Sequence, residues 1–254
     1  MSSKRTTVTQ TSESPDTQQG TFRSTAPPIP ALLRGEPDAL KEWVEQTQPR
    51  GLGFCVGVIF IGARLFGFAM GWWRSPLQAG YTALKFPLII MLTTVGNGLL
   101  NAMLAPLLGL NIPFRQSLFA LLISFTIAAI IMCGFSPLIF FLIWNAPPLS
   151  AGAEQSWDAY SFIQLVLVMV IAFAGIAANL RLIQLLNRLS GSVTISRRVL
   201  FAWLAGNLLL GSQLTWILRP FIGSPVLPVE FLRDTAFQGN FFETLFLAAT
   251  RLFK

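Results

Sequence analysis

The sequence between residues 117 and 144 reads SLFALLISFTIAAIIMCGFSPLIFFLIW and contains no charged side chain. A helix needs about 20 consecutive, mostly apolar residues to cross the hydrocarbon core of a bilayer. This stretch exceeds that length. Pro137 within it is tolerated where neighbouring helices satisfy the carbonyl group that a proline leaves free. The stretch therefore predicts a transmembrane helix.

The composition places the rest of the chain in the same class. Charged residues make up 11% of the 254 residues, against about 25% in ordinary soluble domains. No carboxylate occurs between Glu45 and Glu154, and a soluble fold would expose large apolar patches over so long a charge-poor stretch. The net charge of +7 does not indicate a nucleic-acid partner, because the cations flank apolar segments instead of clustering on one face.

We predict an all-α fold, a polytopic transmembrane helix bundle with five spans. Arg64 makes the first span the weakest, because a charge inside a bilayer is costly. The predicted spans are Gly51–Trp73, Phe86–Leu110, Ser117–Trp144, Ser161–Leu180 and Val199–Ile217.

Loop charges predict the orientation of the bundle. The loop from Asn145 to Trp157 has no Lys or Arg, whereas the loop from Arg181 to Arg198 carries four arginines. The positive-inside rule places the second loop in the cytoplasm, and Lys41 places the N-terminus there as well. An even number of spans must then separate the two, which requires Gly51–Trp73 to cross. We expect a multi-pass protein of a cell (inner) membrane with a cytoplasmic N-terminus.

Three regions flank the predicted bundle. Residues 1–30 are polar and predict a disordered tail. Residues 31–50 predict an amphipathic interfacial helix with Leu40, Trp43 and Val44 on one face, and Trp43 at headgroup depth. Residues 218–254 predict a turn-rich exit followed by an amphipathic C-terminal helix. After five spans from a cytoplasmic N-terminus, that helix lies on the outer side of the membrane. The alternative is a re-entrant segment or a sixth crossing.

Amide side chains provide the main candidate site inside the membrane. Asn97 and Asn101 are four residues apart on one helix face, and Asn207 lies on the fifth span in line with Gly211. If the two faces meet, they form a polar seam for an ion, a cavity or a headgroup, with Gln213 at its edge. The simpler alternative is structural: amides beside small residues hold membrane helices together.

Cationic side chains are the second group of candidates. Arg64 is the one charge near the middle of a predicted span, and it must either face the bundle interior or extend toward the interface. Candidate contacts to anionic headgroups or to a partner are Arg181, Arg188, Arg197, Arg198, Arg219 and Arg233.

The sequence offers no catalytic constellation. Histidine is absent, which removes histidine-based nucleophile activation and histidine metal sites. Cys55 and Cys133 lie inside apolar stretches without metal-ligand spacing, and we interpret them as buried small hydrophobes. No phosphate-binding or nucleophile motif occurs. We expect no catalytic residue, no metal and no cofactor.

A resemblance accompanies this pattern over residues 80–217. The segments Val95-Gly-Asn-Gly-Leu99, Gly109-Leu-Asn-Ile-Pro-Phe-Arg-Gln-Ser117 and Gly134-Phe-Ser-Pro137, together with the polar N-terminus, are similar to the Yip-domain family of five-span membrane proteins. The N-terminal signatures of the eukaryotic members are not present, so the resemblance does not imply a trafficking role.

Three functions remain, in order of preference. The first is a non-enzymatic scaffold that recruits a protein or lipid partner, with the amides bonded to one another. The second is a small transporter or channel that uses the amide seam. The third is a membrane enzyme. The expected partners are the bilayer, anionic lipid headgroups, and a protein partner or a second copy of the chain.

Overall fold

A computed structural model describes residues 29–34, 37–46, 49–147, 153–223 and 228–243 of the chain. Within these residues no strand occurs, and the predicted all-α fold class is confirmed. The helices of this part of the chain are α1 (Ile29–Arg34), α2 (Pro37–Gln46), α3 (Pro49–Trp72), α4 (Pro76–Leu107), α5 (Phe114–Trp144), α6 (Ala153–Ser190) and α7 (Val193–Ile217).

Five of these helices, α3 to α7, are long and apolar enough to cross a membrane. The chain therefore has the architecture of a multi-pass integral membrane protein, and the predicted number of spans is confirmed. The segment that contains Arg64 is one of the five, as helix α3.

The helices are longer than most of the apolar stretches that predicted them. Helix α4 begins at Pro76 instead of Phe86, α6 covers Ala153–Ser190 instead of Ser161–Leu180, and α7 begins at Val193 instead of Val199. Hydropathy marks the part of a helix that suits lipid and does not mark the ends of the helix. At the start of α4 the helix is also capped. Ser75 forms this cap, because its hydroxyl accepts the N–H of Gln78 at 3.0 Å.

Two ends of the bundle are distinguished by their contacts. Trp73 after α3 packs against Tyr160 near the start of α6, with ring centroids 6.1 Å apart. Gly223 after α7 packs against the side chain of Arg74. We call this the exit end. The opposite end, which holds the α4–α5 and α6–α7 loops and helix α2, is called the entry end.

Helix α5 lies at the centre of the bundle and α7 at its edge. Helix α3 packs against both α4 and α5, α5 also packs against α6, and α7 packs chiefly on α4. Many α5 side chains are buried, whereas α7 buries only Ser196, Val199 and Trp203 among its described residues. Helix α7 thus presents most of its surface to the outside of the bundle.

The predicted interfacial helix at residues 31–50 is wrong in two respects. The segment forms two short helices, α1 and α2, and α3 already begins at Pro49. Leu40, Trp43 and Val44 do share one face, but they are buried against the bundle. The centroid of the Trp43 ring lies 4.8 Å from that of Phe119 on α5, so Trp43 packs against protein; its headgroup depth stays a prediction.

The terminal regions differ from their predictions where the structure describes them. Of the predicted tail, residues 1–28 lie outside the described residues, and α1 already starts at Ile29. Of the segment for which we predict a turn-rich exit and a C-terminal helix, residues 228–240 are turns, bends and irregular backbone, and residues 241–243 are helical. Phe231 packs against Tyr81 of α4, with ring centroids 5.4 Å apart. This contact places Phe231 against α4, and residues 244–254 lie outside the described residues.

Glycine residues allow α3 to approach its neighbours closely. A Cβ atom at Gly62 would lie 2.6 Å from the carbonyl oxygen of Ala129 on α5, and one at Gly71 would lie 2.7 Å from the Cα of Ala79 on α4. In both cases the obstructing atom belongs to a backbone. Side chains at these positions would push the helices apart, which is the reason membrane helix interfaces favour small residues.

We predict that Gly62→Ala destabilises the protein by about 1–3 kcal/mol, because one extra methyl group overpacks the α3–α5 contact. Gly57→Ala on the same helix is the matched control, since a Cβ atom there meets nothing within 4 Å. Reversible unfolding in mixed micelles measures both variants. An equal effect of the two substitutions would contradict the packing.

Candidate functional site

The structure brings together three of the four amides that the sequence singled out. Asn97 and Asn101 of α4 are fully buried, and the Asn101 Nδ2 donates to the Asn97 Oδ1 at 3.2 Å. The Asn97 Nδ2 donates to the Asn207 Oδ1 at 2.7 Å and to the carbonyl oxygen of Trp203 at 3.0 Å. We call Asn97, Asn101 and Asn207 the amide seam. It joins α4 to α7.

Gly206 makes the close approach of the two helices feasible. A Cβ atom at this position would overlap the Asn97 Oδ1. Gly211, which the sequence placed in line with Asn207, is less restrictive: a Cβ atom there would lie 3.8 Å from the Thr93 Oγ1, an ordinary contact. The glycine that accommodates the seam is therefore Gly206.

Gln213 does not join the seam. It is half-buried on α7, and within the described part of the chain no hydrogen bond connects it to Asn97, Asn101 or Asn207. Its six-residue separation from Asn207 turns it roughly 120° around the helix, and this rotation leaves it away from the contact with α4.

Two buried oxygen atoms, one in the seam and one next to it, have no hydrogen-bond partner among the described residues. They are the Oδ1 of Asn101 and the Oγ1 of Thr93. Thr94, by contrast, satisfies its hydroxyl within α4 by donating to the carbonyl oxygen of Ile90 at 2.7 Å. The seam therefore retains hydrogen-bonding capacity for a small polar group such as a water molecule.

A second buried polar contact lies on α4 at the exit end. Gln78, Thr82 and Lys85 are fully buried, and all three side chains donate to backbone carbonyl groups just after α7. The Lys85 Nζ donates to the Pro220 oxygen at 3.0 Å. The Gln78 Nε2 donates to the oxygens of Pro220 and Phe221, at 3.1 and 2.9 Å. We call Gln78, Thr82 and Lys85 the exit triad.

Sequence reasoning missed the exit triad because residues 78–85 were left between two predicted spans. The signal was present in the spacing: Gln78, Thr82 and Lys85 follow one another at four and three residues, which places them on one helix face. A polar stripe continuous with an apolar span indicates a helix that extends beyond the apolar core and packs on protein there.

Arg219 and Arg233 lie beside the exit triad. The Arg219 guanidinium stacks on the Trp216 ring, 3.7 Å from its centroid, and its Nη2 donates to the carbonyl oxygen of Thr235 at 3.3 Å. Burial and the neighbouring Arg233 lower the pKa of Arg219 from its ordinary value. A guanidinium nevertheless remains protonated in proteins, so both residues carry a positive charge.

The other predicted cations are distributed elsewhere. Arg64 is exposed on the outside of α3 instead of facing the bundle interior, which leaves the alternative in which its long side chain extends toward the interface. Arg188, Arg197 and Arg198 are exposed at the entry end, and Arg181 is half-buried there with Nη1 3.4 Å from the Gln184 Oε1.

The chemistry of the amide seam is that of neutral donors and acceptors that bond to one another and to backbone. Neutral amides do not change their protonation state near neutral pH, so the seam holds helices together without moving protons. Among the described residues, no group of three or more His, Cys, Asp or Glu side chains comes together.

Comparison with protein-family models, with curated proteins and with solved structures finds no match for the chain. The class of protein is defined by the fold and by the polar contacts of α4: an integral membrane protein with five candidate spans among its described residues, the fifth of which, α7, bonds to α4 through the amide seam. The resemblance to the Yip-domain family over residues 80–217 stays a prediction.

We predict that a double-mutant cycle of Asn97→Ala and Asn207→Ala yields a coupling of about 0.6–1.7 kcal/mol, the range found for hydrogen bonds between membrane helices. Unfolding of the two single variants and the double variant in mixed micelles measures it. The control cycle pairs Asn97→Ala with Gln213→Ala and should show additivity. Additivity in both cycles would mean that the Asn97–Asn207 bond contributes nothing.

Proposed function

We propose that the protein is a non-enzymatic multi-pass membrane scaffold that recruits a protein or lipid partner. One observation carries the proposal: the buried Asn97 uses its amide donors on α7, at Asn207 and at the Trp203 carbonyl. An amide that bonds to a neighbouring helix in this way acts as a structural contact. We therefore assign Asn97 and Asn207 to holding α4 and α7 together.

The surfaces offered to a partner lie at the two ends of the bundle. At the entry end the exposed Arg188, Arg197 and Arg198 support a cytoplasmic orientation and contact with anionic lipid headgroups. At the exit end, residues 228–243 present aromatic surface, with Phe237 77% exposed. An exposed aromatic side chain at the end of a membrane bundle suits a protein partner, a second copy of the chain or a lipid.

A small transporter or channel is the second candidate, and a specific observation favours it. The unpartnered Asn101 Oδ1 and Thr93 Oγ1 are buried beside the seam. If water reaches these two acceptors, the seam lines a wet cavity and would then suit the passage of a small polar solute. The two candidates differ in a single physical property, which is access of water to the seam.

Labelling with a membrane-impermeant thiol reagent separates the two candidates. The reporter is Thr94→Cys in a chain with Cys55→Ala and Cys133→Ala, because Thr94 is fully buried and bonds only within its own helix. Asn145→Cys and Thr194→Cys, both exposed at opposite ends of the bundle, are the controls. We expect Asn145→Cys to label on intact cells and Thr194→Cys only after permeabilisation.

We expect Thr94→Cys to remain unlabelled under both conditions, because the scaffold keeps the seam dry. Labelling of Thr94→Cys at a rate close to that of either control would contradict the scaffold and favour the transporter. Reversal of the two controls would place the N-terminus outside and leave the scaffold intact.

A further inference from the structure

Three cationic side chains converge at the exit end: Lys85, Arg219 and Arg233. The residues two positions before and after Arg233 contact the other two cations. The Lys85 Nζ lies 5.0 Å from the centroid of the Phe231 ring, and the Arg219 Nη2 donates to the Thr235 carbonyl oxygen at 3.3 Å. These two contacts bring the segment that carries Arg233 next to Lys85 and Arg219. We call the three residues the cation cluster.

The turn that follows Arg233 fixes its position in the segment. The Ala236 N–H donates to the carbonyl oxygen of Arg233 at 2.9 Å. Arg233 is half-buried, so its guanidinium is partly withdrawn from solvent while remaining reachable from the surface.

The cluster has no anionic partner within the described residues. The ion pair that the structure shows there is Lys41–Glu45, at the other end of the molecule. Glu230 and Asp234 are close to Arg233 in sequence, but neither forms an ion pair with a member of the cluster. The positive charge of Arg233 also acts on both Lys85 and Arg219.

Hydrogen-bond donors remain unused on both arginines. A guanidinium presents five N–H donors in a planar fork. Arg219 directs Nη1 to the Trp216 carbonyl oxygen at 2.8 Å and Nη2 to that of Thr235, which leaves further donors free. Arg233 makes no side-chain hydrogen bond among the described residues.

Three like charges held together by other contacts repel one another, and the repulsion is stronger where protein and lipid exclude water. An anion placed among them removes this repulsion and uses the free donors. A phosphate group fits best, because guanidinium groups bind phosphate oxygens through paired, charge-assisted hydrogen bonds.

We propose that Arg219 and Arg233, supported by Lys85, bind the phosphate group of an anionic lipid at the exit end of the bundle. The inference deepens the proposed scaffold function, on which it rests, by naming the chemistry of one ligand. It assigns the ligand to a particular end of the molecule and to particular residues.

The depth of the cluster favours a lipid as the source of the phosphate. Lys85 lies nine residues after Pro76, about 14 Å along the axis of α4, and the apolar stretch of α4 begins directly after it at Phe86. Trp216 and Tyr160 lie at the same end, in the position typical of aromatic residues at a membrane interface. These features place the cluster at the boundary between apolar and polar surface, which is where lipid phosphates lie when such a helix spans a bilayer.

Native mass spectrometry of the full chain in detergent, titrated with phosphatidylglycerol, tests the site. Arg233→Gln removes one charge and no observed hydrogen bond, so the fold should persist. Arg115→Gln, exposed near the start of α5 at the entry end, is the matched control. We expect Arg233→Gln to weaken phosphatidylglycerol binding about tenfold, equivalent to about 1.4 kcal/mol, and Arg115→Gln to leave this tightest binding step unchanged.

Two further measurements identify the source of the phosphate and control for misfolding of the variant. Millimolar inorganic phosphate should not displace the lipid; displacement would retain the phosphate site but assign it to a soluble ligand. Arg233→Lys keeps the charge and loses the planar fork, so its affinity should fall between those of the unmodified chain and Arg233→Gln.

Equal phosphatidylglycerol affinity of the unmodified chain and Arg233→Gln, or an equal loss with Arg115→Gln, would overturn the site. Such a failure is distinct from failure of the scaffold, which would appear as thiol labelling of Thr94→Cys whether or not lipid binds.

Discussion

Polar side chains buried within a membrane bundle must find their partners inside the protein, because lipid tails offer none. Helix α4 carries two such groups, the exit triad near its start and the amide seam in its second half. Both direct their hydrogen bonds to α7 or to the residues directly after it. The course of the chain from Trp203 to Phe221 thus follows the polar residues of α4.

This dependence explains how a helix with little buried surface keeps its place. Apolar burial gives no driving force between helices that are already in lipid, and α7 buries few of its residues. The close approach of the two helices at Gly206 and the hydrogen bonds of Asn97 instead stabilise the contact between α4 and α7. The segment after α7 continues the pattern, because Pro220 and Phe221 offer their carbonyl groups to the exit triad.

The sequence was sufficient for features that depend on composition and helical spacing. Apolar length predicted five spans, loop arginines required the segment with Arg64 to cross, and a four-residue interval placed Asn97 and Asn101 on one face. The sequence was insufficient for features that depend on contacts between residues far apart in the chain. Nothing local shows that Lys85 meets the carbonyl of Pro220, 135 residues further along the chain, or that Trp43 packs inside. In the same way, contact with α4 determines how α7 is rotated about its axis, and this rotation places Gly206 instead of Gly211 against Asn97.

The central claim is that the amide seam determines where α7 lies against α4. Disulfide cross-linking of Gly96→Cys with Leu210→Cys, in a chain lacking Cys55 and Cys133, tests this claim directly. A Cβ atom at Gly96 would lie 3.0 Å from the Leu210 Cδ1, so the two positions face each other across the α4–α7 contact. The account predicts a high yield in membranes, a marked loss when Asn97→Leu is added, and no loss with Gln213→Leu. An unchanged yield with Asn97→Leu would contradict it.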